Sequence, residues 1–163
     1  MASVAEHLVH QLEGAGVRHI YGIVGDSLNP VVDAVRRSKK IRWIHVRHEE
    51  TAAFAAAAEA EITGQLAVCA GSCGPGNLHL INGLYDANRS HLPVLAIASH
   101  IPTSQIGTGF FQETHPDRIF DECSVFSEMI SSSEQVPRVT RSAIQQALSN
   151  HGVAVLTLPG DIA

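Results

Sequence analysis

Two short stretches carry residue types that could do chemistry. Arg47-His48-Glu49-Glu50 places carboxylates where a short apolar run gives way to Thr51-Ala52-Ala53-Phe54-Ala55-Ala56-Ala57-Ala58. Gly71-Ser72-Cys73-Gly74-Pro75-Gly76 follows the next apolar run. A helix with side chains that small packs closely against a neighbour or lets another backbone approach. In an open parallel sheet, ligands sit outside the carboxyl ends of the strands. A carboxylate at one strand-to-helix junction and a glycine turn at the next therefore point into the same crevice. A glutamate in a crevice walled by apolar helices is a candidate functional group. His79 lies one turn into the helix after the glycine turn, so its ring could reach that crevice.

Each feature also has an ordinary structural reading. Glu49 and Glu50 both suit a first helical turn, where the dipole favours negative charge, and Glu50 fits that role better. Residues 71–76 suit a tight turn with Pro75 starting a helix. They do not form a nucleotide loop: there is no Gly-Lys-Ser/Thr, and the glycines read Gly-x-x-Gly-x-Gly in the third strand–helix turn, not Gly-x-Gly-x-x-Gly in the first. Ser72 lacks a nucleophile-elbow pattern, and nothing supports Cys73 as a nucleophile. His79 suits a solvated or hydrogen-bonded surface position. Phe110-Phe111 is a loop anchored in the core, a wall of a ligand site or a partner surface. Cys69 and Cys73 have no second pair to complete a zinc site, and no metal ligands are assigned.

The elements that must position these residues alternate along the chain. Helical spacing covers Val4 to Ala15, Leu28 to Arg37, Glu49 to Ile62, Pro75 to Asn88, a short piece from Pro116 to Glu122, and Val136 to Leu148. Strands are read at His19–Val24, Ile41–Val46, Leu66–Ala70, Pro93–Ala98, Phe126–Ile130 and Val153–Leu158. The third and fourth lack alternation, as strands buried on both faces should. A loop rich in Gly, Thr and Gln runs from Ile101 to Thr114. Six strands alternating with six helices predict an α/β fold, a doubly wound, mostly parallel six-stranded sheet with helices on both faces.

At 163 residues the chain reads as one domain, 1–163, able to bury a real core. A net charge of −5, with no Lys/Arg cluster beyond Arg36-Arg37-Ser38-Lys39-Lys40, argues against a nucleic-acid or anionic-membrane surface. Charged residues make up only 17%, so some surface is expected to be covered by a partner. Three cysteines without framework spacing favour a reducing setting, and no stretch is long and apolar enough to span a bilayer. The expected location is cytoplasmic. Pro159-Gly160-Asp161-Ile162-Ala163 stops straight after a core strand, which reads as the edge of a larger protein.

Taken together the motifs have a family order. Gly25-Asp26-Ser27-Leu28-Asn29, Arg47-His48-Glu49-Glu50, Gly74-Pro75-Gly76, Asn82-Gly83-Leu84-Tyr85-Asp86, Pro93-Val94-Leu95 and Phe111-Gln112-Glu113 resemble the N-terminal pyrimidine-binding domain of thiamine-diphosphate enzymes over essentially the whole chain. The pyruvate oxidase and quinone-dependent pyruvate dehydrogenase branch is most similar, with acetolactate synthase next. The resemblance implies that Glu49 hydrogen-bonds a ring nitrogen of the cofactor's aminopyrimidine and favours the imino tautomer, whose nitrogen takes the thiazolium proton. Decarboxylation of a 2-oxo acid, pyruvate first, would follow. It further implies cofactor contacts at Val24, Gly25, Pro75 and His79, and places Ser27, His79, Phe111 and Gln112 near the substrate end. Asp26 departs from relatives that carry glycine or another small residue there.

By the same resemblance, thiamine diphosphate is shared with a diphosphate-binding domain outside this chain, and Mg2+ and FAD bind outside it too, in a three-domain parent. The implied partners are that domain, a second copy of this one in a homodimer or tetramer, and the 2-oxo acid. Alone, the chain is expected to be inactive. The alternatives are an acetolactate-synthase-type carboligase domain or a catalytically silent dimerisation module.

Overall fold

The computed structural model describes residues 3–163. Ser3 opens the first helix, α1 (Val4–Gly14), with a reciprocal cap: its hydroxyl accepts from the Glu6 amide, and the Glu6 carboxylate accepts from the Ser3 amide. Then follow β1 (His19–Gly22), a 3-10 turn at Asp26–Leu28, α2 (Asn29–Ser38), β2 (Arg42–His45), α3 (Glu49–Thr63), β3 (Ala67–Gly71) and α4 (Pro75–Arg89). The second half comprises β4 (Val94–His100), a four-residue α5 (Pro116–Ile119), β5 (Phe126–Met129), α6 (Val136–Asn150) and β6 (Val153–Pro159).

The strands form one sheet in the order β2-β1-β3-β4-β6-β5, and every described pair is parallel. Parallel neighbours need crossover connections, which the helices supply. One core, with Leu8, Leu12, Val31, Val35, Val139 and Ala143, packs α1, α2 and α6 on one face of the sheet. The other, with Ala53, Ala56, Leu80, Leu84 and Phe120, packs α3, α4 and the α5 segment on the opposite face. The expected doubly wound α/β fold is the fold observed. β3, β4 and β6 are buried at every position, which accounts for their mostly apolar sequence, the polar Ser99, His100 and Thr157 being buried with them.

Several boundaries differ from the sequence reading: the short helix read to Glu122 ends at Ile119, α6 runs on to Asn150, and two strand ends move by two residues. β1 ends at Gly22, short of Val24, because the chain leaves the sheet for the turn at Asp26–Leu28. β4 runs to His100, past Ala98, because β6 stays paired with it as far as His100 opposite Pro159.

On the α3/α4 face the helices approach at backbone distance. A Cβ on Gly83 of α4 would lie 2.5 Å from Ala53 Cβ and 2.8 Å from the Phe54 amide nitrogen of α3. The buried alanines 52, 53, 56, 57 and 60 are the matching surface. No described helix is long and apolar enough to cross a membrane.

Candidate functional site

Beyond β2 the chain is still extended at His48, whose Nδ1 accepts from the Glu50 amide at 3.3 Å and caps α3. Glu49 is the first residue of that helix and is only 8% exposed. His79, one turn into α4, places Nδ1 3.1 Å from Glu49 Oε2. The other oxygen, Oε1, has no partner among the described residues. It lies 3.2 Å from where a methyl on Gly76 would sit. The carboxylate thus has one oxygen committed and one aimed over a glycine.

The glycine turn brings three segments together without side chains between them. Gly74 adopts φ +70°, and a side chain there would press on Gln112 from the long loop. A Cβ on Gly25, after β1, would sit 2.5 Å from Ser72 Oγ. Polar groups tie the segments together: Ser27 Oγ accepts from the Cys73 amide at 3.1 Å and lies 3.0 Å from Ser72 Oγ. Fully buried Asn77 donates its amide to the Ser99 carbonyl, and the Ser99 hydroxyl donates to the Ser27 carbonyl at 2.8 Å.

On the far side of Ser27 lies a cavity of about 320 Å³ whose lining includes Asp26, Ser27, Cys73, His100, Phe110 and Gln112. It opens at the carboxyl ends of the strands, where an α/β sheet binds ligands. Burial pushes the His100 imidazole below its ordinary pKa, so the ring is neutral there, and its buried Nδ1 has no partner. The same desolvation pushes the thiols of Cys69 and Cys123 up to about 12 and about 11, which leaves both unreactive.

The loop that closes the cavity is clasped by Glu113, whose carboxylate accepts from the amides of Gly107 and Gly109. The Gly107 amide, outweighing what desolvation there is, holds the Glu113 pKa below its ordinary value. A carboxylate with a depressed folded pKa contributes above its unfolded pKa, near 4.3, and loses that contribution as pH falls through the folded value. Hydrogen exchange at Gly107 and Gly109 should therefore be slowed at neutral pH and released in acid. E113Q keeps one acceptor oxygen and places an N–H at the other, so it should release at least one of the two amides already at pH 7. Continued protection of both in E113Q would show that the clasp does not order this loop.

Of the residues read from the sequence, Gly25, Glu49, Pro75 and His79 lie around the glycine turn, with Pro75 opening α4. Val24, next to Gly25, is 47% exposed. Ser27 and Gln112 line the cavity. Phe111 is not brought there: it is 84% exposed. Its neighbour Phe110 lines the wall, the two rings lying 4.8 Å apart and tilted by 43°.

Asn77, Ser99 and His100 were missed. Asn77 was detectable, because it shares a helical stripe with Leu80, Leu84 and Ala87, and a polar residue on an apolar stripe needs a partner. Ser99 and His100 had no such signal, lying just beyond the strand end read from the sequence.

A family model described as "Thiamine pyrophosphate enzyme, N-terminal TPP binding domain" matches residues 2–120. The chain is 62% identical over 160 residues to an uncharacterized 42.6 kDa protein in the isoamylase 3' region of Pseudomonas amyloderamosa, across 98% of this chain and 40% of that protein. It is 42% identical to the putative thiamine pyrophosphate-containing protein YdaP of Bacillus subtilis (strain 168), across 98% of this chain and 28% of the relative. It is 41% identical to pyruvate oxidase of Lactiplantibacillus plantarum, across 95% and 26%. The chain spans 26% to 40% of the length of these curated relatives.

Proposed function

Because the chain belongs to the family of thiamine pyrophosphate enzyme N-terminal TPP-binding domains, we propose that it forms the pyrimidine half of a thiamine diphosphate site in a 2-oxo acid-decarboxylating oxidoreductase. Pyruvate is the proposed substrate and flavin the proposed electron acceptor, a reading supported by the similarity to a pyruvate oxidase. The observation that carries it is the Glu49 carboxylate, buried, with Oε2 held by His79 and Oε1 free beside Gly76. That arrangement fits a flat heteroaromatic ring. The missing side chain at Gly76 leaves Oε1 uncovered, and the free oxygen accepts a hydrogen bond from a ring N–H.

Bound there, thiamine diphosphate supplies an electron sink for decarboxylation. The chain's own residues orient it and hold a proton. His79 keeps Oε2 occupied, so Oε1 faces the ring, and low exposure strengthens that contact. Val24 offers apolar surface beside Gly25, and Pro75 fixes the start of α4. Ser27 and Gln112, with the cavity of about 320 Å³, serve the substrate end, at a size suited to a small molecule. Mg2+, FAD and the diphosphate-binding domain lie outside this chain in the proposal, and a second copy of the domain completes the assembly.

The reading is tested on this chain alone. Thiamine diphosphate should bind weakly and shift the NMR signals of residues 47–50 and 74–79, with no decarboxylation of pyruvate. Turnover by the isolated chain would refute the half-site. Unshifted signals at saturating cofactor would refute the cofactor assignment.

A further inference from the structure

We propose that His48 is a positioning residue for Glu49, acting through the ring of His79; the role rests on the function proposed above. The imidazoles of His48 and His79 are stacked, with centroids 4.3 Å apart and planes inclined by 28°. The two rings come from different segments. His48 precedes α3 and His79 stands in α4, so the stack bridges the two elements that carry the site.

The chemistry of each ring follows from its partners. His48 Nδ1 accepts from the Glu50 amide at 3.3 Å, so in that bond it carries no proton and its ring proton is on Nε2. The Glu50 carboxylate, with Oε2 3.8 Å from that nitrogen, is drawn aside by Asn82, whose amide donates to Glu50 Oε1 at 2.8 Å. The cap thus sets the plane of the His48 ring. His79 turns Nδ1 toward Glu49 Oε2 at 3.1 Å, and with its proton there it donates to the carboxylate.

A half-exposed imidazole is free to flip about its ring bond unless something covers its face. A flip would put a carbon where Nδ1 now meets Glu49 and would leave Oε2 without a donor. The His48 ring covers that face. The His48 ring therefore selects the His79 orientation, and His79 selects which carboxylate oxygen stays free.

Two substitutions separate the ring from the cap. H48N keeps a good helix cap and removes the ring, because Asn is among the best N-cap residues. H48F keeps a flat aromatic face and removes the cap. The first readout needs no cofactor: the imidazole 15N signals of His79 in this chain, which report the tautomer. The second is kcat and KM for pyruvate in the full-length protein.

The wild type should show the Nδ1–H form of His79. H48N should show averaged tautomers and lose about three- to tenfold in kcat, the range set by a tenfold step per 1.4 kcal/mol and the strength of an aromatic pair, with KM changing less. H48F should recover the tautomer signature and most of the lost kcat. The proposal is overturned if H48N keeps the wild-type His79 signals, because the cap alone would then carry the effect, or if H48F loses them as fully as H48N, because a stacked face would then not be what holds the His79 ring. Should the tautomers follow the expected pattern while E49Q leaves turnover intact, the thiamine reading fails and the ring coupling stands.

Discussion

E49Q in the full-length protein is expected to lower turnover of a 2-oxo acid by about 10²- to 10⁴-fold, the range a positioned proton-transfer group contributes. The substitution keeps the shape of the side chain and removes its charge and its ability to hold a proton. Glu49 is nearly buried and its only described partner is His79, so little else depends on its ionisation. Stability should change by no more than about 1–3 kcal/mol, the cost of weakening one buried hydrogen bond. The loss should appear chiefly in kcat, with a smaller loss of thiamine diphosphate affinity, because hydrogen bonding to the ring weakens but its packing space does not. Steady-state kinetics and a separate titration of the cofactor divide the two effects. A catalytically silent assembly module would show neither, so unchanged turnover would place the chain in that class.

G83V is expected to be the most damaging single change to the fold. Its Cβ would lie 2.5 Å from Ala53 Cβ and 2.8 Å from the Phe54 amide nitrogen, and neither can turn away, since one is a methyl on a buried helix and the other is backbone. Relief requires α3 and α4 to separate. Overpacking of this kind costs about 1–3 kcal/mol and sometimes more; with backbone as the obstacle, the upper end or beyond is expected. In a chain of this size that lowers Tm by roughly 6–12 °C. Separating the helices also moves Glu49, which opens α3, away from His79 on α4, so residual folded protein should bind cofactor poorly. G14A is the matched control: nothing lies within 4 Å of the added methyl, and its effect should stay within about 1 kcal/mol. Equal melting shifts in the two variants would show that the helices do not touch as described.

The architecture was legible because regular elements leave periodic traces. The unbroken apolar runs read at Leu66–Ala70 and Pro93–Ala98 announced strands covered on both faces, and the alternation of strands with helices left a parallel sheet as the consistent outcome. Glu49 was legible for a similar reason, as a carboxylate at a strand-to-helix junction followed by alanines. The small side chains of α3 announced a close approach, but not that Gly83 was the partner, because contacts between helices leave no periodic mark. The long loop was the least legible part. Side-chain direction there follows from turns at Gly107 and Gly109 and from the Glu113 clasp, so nothing in the order Phe110-Phe111 shows which ring faces inward.

The position of β6 constrains how the molecule can be assembled. It comes after every other strand in the chain, yet it lies inside the sheet, between β4 and β5. Until it has left the ribosome, β4 and β5 face an open slot, and the edge of β4 beside the Ser99 hydroxyl is unpaired. Glu49, the glycine bend and His79 lie in the span from β2 to α4, and β1, which pairs with both β2 and β3, precedes them in the chain. The corner that holds Glu49 and His79 is therefore synthesised before the strand that fills the slot between β4 and β5.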